Sequence, residues 1–117
     1  MPDQTRVRSQ ITHLECSLTG ERFEHDFPHR LNPANGKPLL VRYDLAKAAE
    51  TLTKTALPDR EPNMWRYREV MPVIDPANII TLGEGFTPLR HATRLGSHLG
   101  MGTLLIKDEG VNPTGSF

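Results

Sequence analysis

The last eleven residues, Lys107 to Phe117, read KDEGVNPTGSF and follow a short apolar run, Leu104-Leu105-Ile106. No other stretch restricts the fold as strongly. A short apolar run bounded by polar residues has the pattern of a buried strand. Gly110 allows a turn at positive φ. Pro113 lacks an N–H and biases Asn112 towards an extended backbone. Thr114 and Ser116 are helix-capping types, so a helix is expected to begin there. Strand, glycine turn and hydroxyl-rich helix start, in that order, build ligand sites at the carboxyl ends of strands.

The rest of the chain is heavily punctuated. Ten prolines and nine glycines in 117 residues, with 37% apolar content, predict a loop-rich chain with a modest core. That length suits one small domain. Ile11 to Leu14, Phe23 to Phe27 and Pro38 to Tyr43 read as short strands. Turn signals separate them at Thr19-Gly20-Glu21 and Pro33-Ala34-Asn35-Gly36, which predicts a small antiparallel sheet. Residues 44–57 read as a helix with Leu45, Ala48, Leu52 and Ala56 on one face, capped by Asp44 and ended by Pro58.

After a linker over 58–63, Pro62 suits the first turn of a second helix, Asn63 to Val70. Its Met64, Trp65, Tyr67 and Val70 are expected to pack, and its charged residues to face water. Residues 73–90 read as irregular. Gly83 and Gly85 are not a phosphate loop, because no strand–loop–helix unit surrounds them and no Gly-Lys-Thr follows; a backbone bend is expected. Residues 91–100 read as a helix with Ala92, Leu95 and Leu99 on one face, ended by Gly100 or Gly102. The strand over 103–107 follows. A helix feeding a buried strand that feeds a helix start is an α/β pattern.

Several function classes are disfavoured at once. Fourteen basic and fourteen acidic side chains balance, so no overall field favours nucleic acid or an anionic membrane. No apolar run is long enough for a membrane span, and MPDQTRVRSQ lacks the apolar core of a secretory signal. The lone Cys16 fits a reducing compartment. A cytoplasmic protein is expected. His13-x-x-Cys16 with His25-x-x-x-His29 has zinc-binding residue types, but its spacing follows no zinc pattern, so solvated histidines and a packed thiol are expected.

Four blocks, PLLVRYDL, MWRYREVMP, TLGEGFTPL and IKDEGVNPTGSF, occur in that order. Together they resemble threonine synthases, pyridoxal-phosphate enzymes of fold type II. The resemblance implies an α/β chain that is the N-terminal part of such an enzyme. It has a small β-rich region over 1–45, a linking region over 46–90 and the start of the cofactor domain over 91–117. The first region resembles a degenerate zinc ribbon. Its ligand positions correspond to Cys16, Thr19, Asn32 and Asn35, only one of them a thiol, so the ribbon is expected to be metal-free.

In the family NPTGSF directly precedes the Schiff-base lysine. The resemblance therefore puts that lysine at position 118, no catalytic residue lies in the chain, and the 117 residues alone are expected to be inactive. By match, Phe117 packs on the pyridoxal 5'-phosphate ring and Ser116 stands beside it. Glu84, Thr87 and Lys107 are the candidates near substrate. Arg66 and Arg68 are weaker ones. Asp108 and Glu109 are expected to form a local salt bridge or a solvated face, and Asn112 to hold the turn through its amide.

The activity implied is conversion of O-phospho-L-homoserine and water to L-threonine and phosphate by β,γ-replacement, in a family whose members are often homodimers. Two alternatives stay open. One is another fold type II enzyme, a β-replacing synthase or an amino-acid lyase. The other is a noncatalytic interaction module that uses residues 11–45 as its surface.

Overall fold

The structure is a computed structural model and describes residues 7–115. The expected contacts of Ser116 and Phe117 lie outside the described residues. The chain divides into two compact units: one runs to Arg60 and resumes over Trp65–Ile79, the other takes Glu61–Met64 and the chain from Ile80 on. Both combine short helices with small antiparallel sheets.

In the first unit, strand β1 (Ile11–Cys16) lies between β2 (Arg22–Phe23) and β3 (Leu39–Tyr43), antiparallel to both. Leu14 is the hub of the sheet, opposite Phe23 on one side and Val41 on the other. Along β3, Leu39, Val41 and Tyr43 turn inward while Leu40 and Arg42 turn outward, the period-two alternation of a half-buried strand. Arg42 reaches diagonally to Glu15 on the outer face at 2.6 Å. β2 is shorter than expected, and the residues after it leave the sheet. There His29 donates from Nε2 to the Glu24 carbonyl at 2.6 Å and packs on Phe27 and Phe23.

Helix α1 (Leu45–Ala49) starts where expected, with the Asp44 carboxylate accepting from the Lys47 amide at 2.9 Å. It ends well before Pro58. The cause is a threonine cluster whose hydroxyls compete for hydrogen bonds. Thr53 accepts from the Ala56 amide and contacts Thr55, and Thr51 turns to Glu69. Pro58 lies inside a separate 3-10 turn, Leu57–Asp59.

Met64–Val70 is also a 3-10 element rather than an α-helix, kinked at Tyr67. The expectation that its charged residues face water is wrong for two of them. Arg66 is buried, donating to the Leu57 carbonyl at 2.5 Å, and Glu69 is 0% exposed. Arg60 grips the Glu69 carboxylate with both guanidinium nitrogens, at 2.8 and 2.7 Å. The same nitrogens reach the carbonyls of Arg66 and Thr51, and the Thr51 hydroxyl adds a bond of 2.7 Å to Glu69. The Glu69 carbonyl accepts from the Gln10 amide just ahead of β1. Cys16, Ala48 and Trp65 are the buried apolar residues among those described.

In the second unit, β4 (Leu89–His91) pairs antiparallel with β5 (Leu105–Lys107), joined through helix α2 (Thr93–His98). α2 ends as expected at Gly100, which takes φ +68. The Met101 amide bonds back to the Gly96 carbonyl at 2.8 Å, the Schellman closure. Two expectations fail here. β5 is not buried: Leu105 is 48% and Ile106 46% exposed. A two-stranded ribbon leaves both faces open, and among the described residues no third strand or packed layer of this unit covers it. Gly110 does not take positive φ. It sits within a 3-10 turn, Glu109–Val111, and Gly115 is the residue that turns left-handed.

Burial alone would push the Glu69 pKa up, but the bonds from Arg60 and Thr51 outweigh it and hold the value below the usual 4.5. A depressed carboxylate stabilises the folded state above its unfolded pKa, and that stabilisation is lost as pH falls through the folded value. Glu69→Ala should cost about 3–5 kcal/mol, because the guanidinium of Arg60, only 11% exposed, is left without its carboxylate partner. Urea unfolding followed by fluorescence of Trp65, the only tryptophan, should show this loss at pH 7. As pH falls through the lowered native value, the difference between the two proteins should shrink because the native carboxylate protonates.

Candidate functional site

Two clusters hold the residues that the sequence singles out. The first is a pair of turns in the first unit. In Cys16-Ser17-Leu18-Thr19-Gly20 the Gly20 amide donates to the Cys16 carbonyl and the Cys16 amide to the Glu21 carbonyl. In Asn32-Pro33-Ala34-Asn35-Gly36 the Gly36 amide donates to the Asn32 carbonyl and the Asn32 amide to the Lys37 carbonyl. The same bonds therefore recur sixteen residues apart. Gly20 and Gly36 close the turns at φ +73 and +69, which disfavours any side chain there.

The four positions at the corners of these turns converge. Asn35 Nδ2 donates to Cys16 Sγ at 3.5 Å. The Cys16 thiol is 1% exposed, and hydrogen bonds lower its pKa to about 6, that of the Thr19 side chain foremost and that of Asn32 contributing. Asn32 is itself buried and ties across to Glu21 at 3.1 Å. Hydrogen bonds thus occupy the centre of the cluster. Among the described residues no three His, Cys, Asp or Glu side chains gather as metal ligands. His13 and His29 bond instead to Thr12 and the Glu24 carbonyl.

The second cluster lies where β5 leaves the ribbon. Lys107 faces Leu89 in register, and the Asp108 amide donates to the Pro88 carbonyl at 3.0 Å, which extends the pairing by one step. This brings the segment before β4 against the segment after β5. Lys107 Nζ donates to the Thr87 carbonyl. Thr87 is buried, and its hydroxyl donates to Glu109 Oε1 at 2.6 Å. Asn112 Nδ2 donates to the Glu109 carbonyl and to its Oε2, at 3.2 and 3.3 Å. Asp108 forms the local salt bridge, to Arg90 at 2.7 Å.

Glu84 stands apart from this knot, in the bend before it. Its carboxylate accepts from the Thr81 hydroxyl at 2.7 Å and the Leu82 amide at 2.9 Å. Its own amide and these donors keep its pKa below the usual range. A carboxylate fixed as an anion suits a cationic or hydroxyl group and repels phosphate. Lys107 is the complementary charge, with two N–H donors beyond the one used.

Of the substrate candidates, the structure thus brings Thr87 and Lys107 together and places Glu84 three residues from Thr87 along the same bend. It also adds Glu109, which the sequence reading left as a salt bridge or a solvated face. The available signal was the spacing of Glu109 and Asn112, which puts both side chains on one 3-10 turn. Arg66, the weaker candidate, is a buried structural donor.

The chain is similar to curated threonine synthases. It is 42% identical to that of Methanocaldococcus jannaschii over 82 residues, which is 70% of this chain and 20% of that protein. It is 34% identical to that of Methanosarcina acetivorans over 106 residues, 90% of this chain and 25% of that protein. A 51-residue stretch is 51% identical to the enzyme of Mycobacterium tuberculosis, 44% of this chain and 14% of that protein. The chain spans between a fifth and a quarter of the length of the first two relatives. No protein-family model matches it, and no solved structure does.

The paired turns make a quantitative expectation possible. Tetrahedral zinc at a Zn–S length of about 2.3 Å needs sulfurs about 3.8 Å apart, and the hydrogen bond from Asn35 Nδ2 to Cys16 Sγ shows that these two corners approach one another. A triple Thr19→Cys, Asn32→Cys, Asn35→Cys variant should bind one Co²⁺ with the visible absorption of a tetrahedral four-sulfur site. Six-coordinate spectra, or no binding, would show that the turns do not bring the four corners to ligand distance.

Proposed function

Since this chain is a relative of the N-terminal part of threonine synthases, we propose that it contributes one wall of the active site of a pyridoxal-phosphate-dependent lyase. That enzyme converts O-phospho-L-homoserine and water to L-threonine and phosphate. The observation that carries this reading is the meeting of two family-like blocks. TLGEGFTPL and IKDEGVNPTGSF are separated by the sixteen residues 90–105, and they join through Thr87, Lys107, Glu109 and Asn112.

The cofactor, when bound, supplies an electron sink for the carbanion left after the substrate loses its α-proton. Among the described residues the fit is to a wall rather than to a cofactor cradle. Lys107, the lysine nearest the cluster, is tied to the Thr87 carbonyl and stands ten residues before Phe117. The groups proposed to hold the cofactor are Phe117, Ser116 and a lysine following them. Glu84 and Lys107 would present opposite charges to a substrate that carries both an ammonium and a phosphate. Thr87, whose hydroxyl is committed to Glu109, would hold the backbone that carries them. The three-part division at residues 45 and 90 belongs to the same reading, as do a homodimer and a cytoplasmic location. No helix among the described residues is long and apolar enough to cross a membrane.

The test uses the protein expressed from its complete reading frame. Borohydride reduction should add one pyridoxyl group to its mass, whereas the 117 residues alone should gain none. Phosphate should be released from O-phospho-L-homoserine in step with threonine. Turnover of a serine-type substrate without phosphohomoserine activity would replace this reading with a β-replacing synthase. A complete protein that takes up no pyridoxyl group would end the enzymatic reading.

A further inference from the structure

Phe86 has φ 50, a left-handed backbone that a bulky side chain rarely adopts. It closes a bend in which Gly83 and Gly85 take φ +90 and +85. Such conformations persist where the surroundings over-determine them, and here the restraints are visible on both sides. On one side, the Gly85 amide donates to Asn112 Oδ1 at 3.1 Å across 27 positions of sequence. The preceding Glu84 carbonyl accepts from the Met64 amide at 2.7 Å. A Cβ on Gly85 would lie 2.8 Å from that Met64 nitrogen, so no side chain fits at this point of the bend. On the other side, Thr87 is fastened to Glu109.

Glu109 and Asn112 also bond to each other. The two flanks of Phe86 therefore end on one side-chain pair, and the Phe86 side chain, 63% exposed, is carried on the bend between them.

We propose that Glu109 and Asn112 are positioning residues. They clamp the Gly83–Thr87 bend in its strained form and so fix Phe86 and Glu84 as the substrate-facing edge of the site. The role rests on the enzymatic reading above, whereas the clamp itself rests on the geometry. Asn112 serves the clamp with both ends of its amide, the oxygen to Gly85 and the nitrogen to Glu109. Asn112→Asp keeps an acceptor for Gly85 but sets a second carboxylate against Glu109. Thr87→Val keeps the shape and loses the hydroxyl, while Thr87→Ser keeps the hydroxyl.

The experiment combines amide exchange with steady-state kinetics on the complete, cofactor-loaded protein. Asn112→Ala should speed exchange at Gly85 by about tenfold, the worth of one partly buried hydrogen bond, with Trp65 fluorescence unchanged. KM for O-phospho-L-homoserine should rise by a similar factor, as loss of uniform binding predicts. Thr87→Val should raise KM and Thr87→Ser should restore it. Partial unfolding would instead lower kcat at constant KM.

Unchanged exchange at Gly85 in Asn112→Ala overturns the clamp. Faster exchange with unchanged KM overturns the positioning role. If the unsubstituted protein does not turn over phosphohomoserine, the enzymatic reading has failed, and the clamp is then decided by the exchange rates alone.

Discussion

Glu69 is a carboxylate without solvent contact, and much of the first unit is arranged around keeping it charged. A buried ion is tolerable when it is paired and its remaining lone pairs are bonded. Arg60 supplies the pair and Thr51 a further donor. Arg60 also spends its other hydrogens on the carbonyls of Arg66 and Thr51, in stretches with little regular ladder of their own. One ion pair thus satisfies backbone carbonyls from two separate stretches. With few apolar side chains buried, the connections of this unit are directional rather than hydrophobic. Such connections specify one arrangement more sharply than apolar burial of the same size, because each misplaced donor is left unsatisfied.

The second unit uses a milder version of the same device. Glu109 is shared between a threonine hydroxyl and an asparagine amide, without a cation on its carboxylate among the bonds described. Its partners come from both sides of the β4–β5 ribbon, so it joins the ends of a sheet too small to hold itself together. Large apolar side chains such as Leu89, Leu99 and Leu105 stay exposed around it. Order at this site therefore comes from polar side chains at the end of the ribbon.

The paired turns at Cys16 and Asn32 are held by their backbone geometry. The turn depends on carbonyl and amide groups and on glycines at positive φ, none of which requires a metal. Once three corners are hydroxyl or amide side chains, hydrogen bonds to a single thiol fill the centre. The corner spacing follows from the backbone and the chemistry from the side chains.

Features that depend on neighbours in sequence were legible without coordinates. The Asp44 cap, the three-stranded sheet, the Gly100 stop and the identities of the family-like blocks all rest on local propensity or on residue order. Local signals failed where a distant partner decided the outcome. The helix from Asp44 stops early because Thr51 turns to Glu69, eighteen residues away. Arg66 and Glu69, charged residues on a short helical segment, are buried because Leu57 and Arg60 receive them. β5 has the composition of a buried strand, but composition does not supply the layer that would bury it. Asn112 reads as a turn residue, and only folding shows that its amide reaches back to Gly85. The sequence by itself determined the turns, the caps and the kinship. The tertiary structure decided which carboxylates are buried and which side chains meet, because those depend on contacts between residues far apart in the chain.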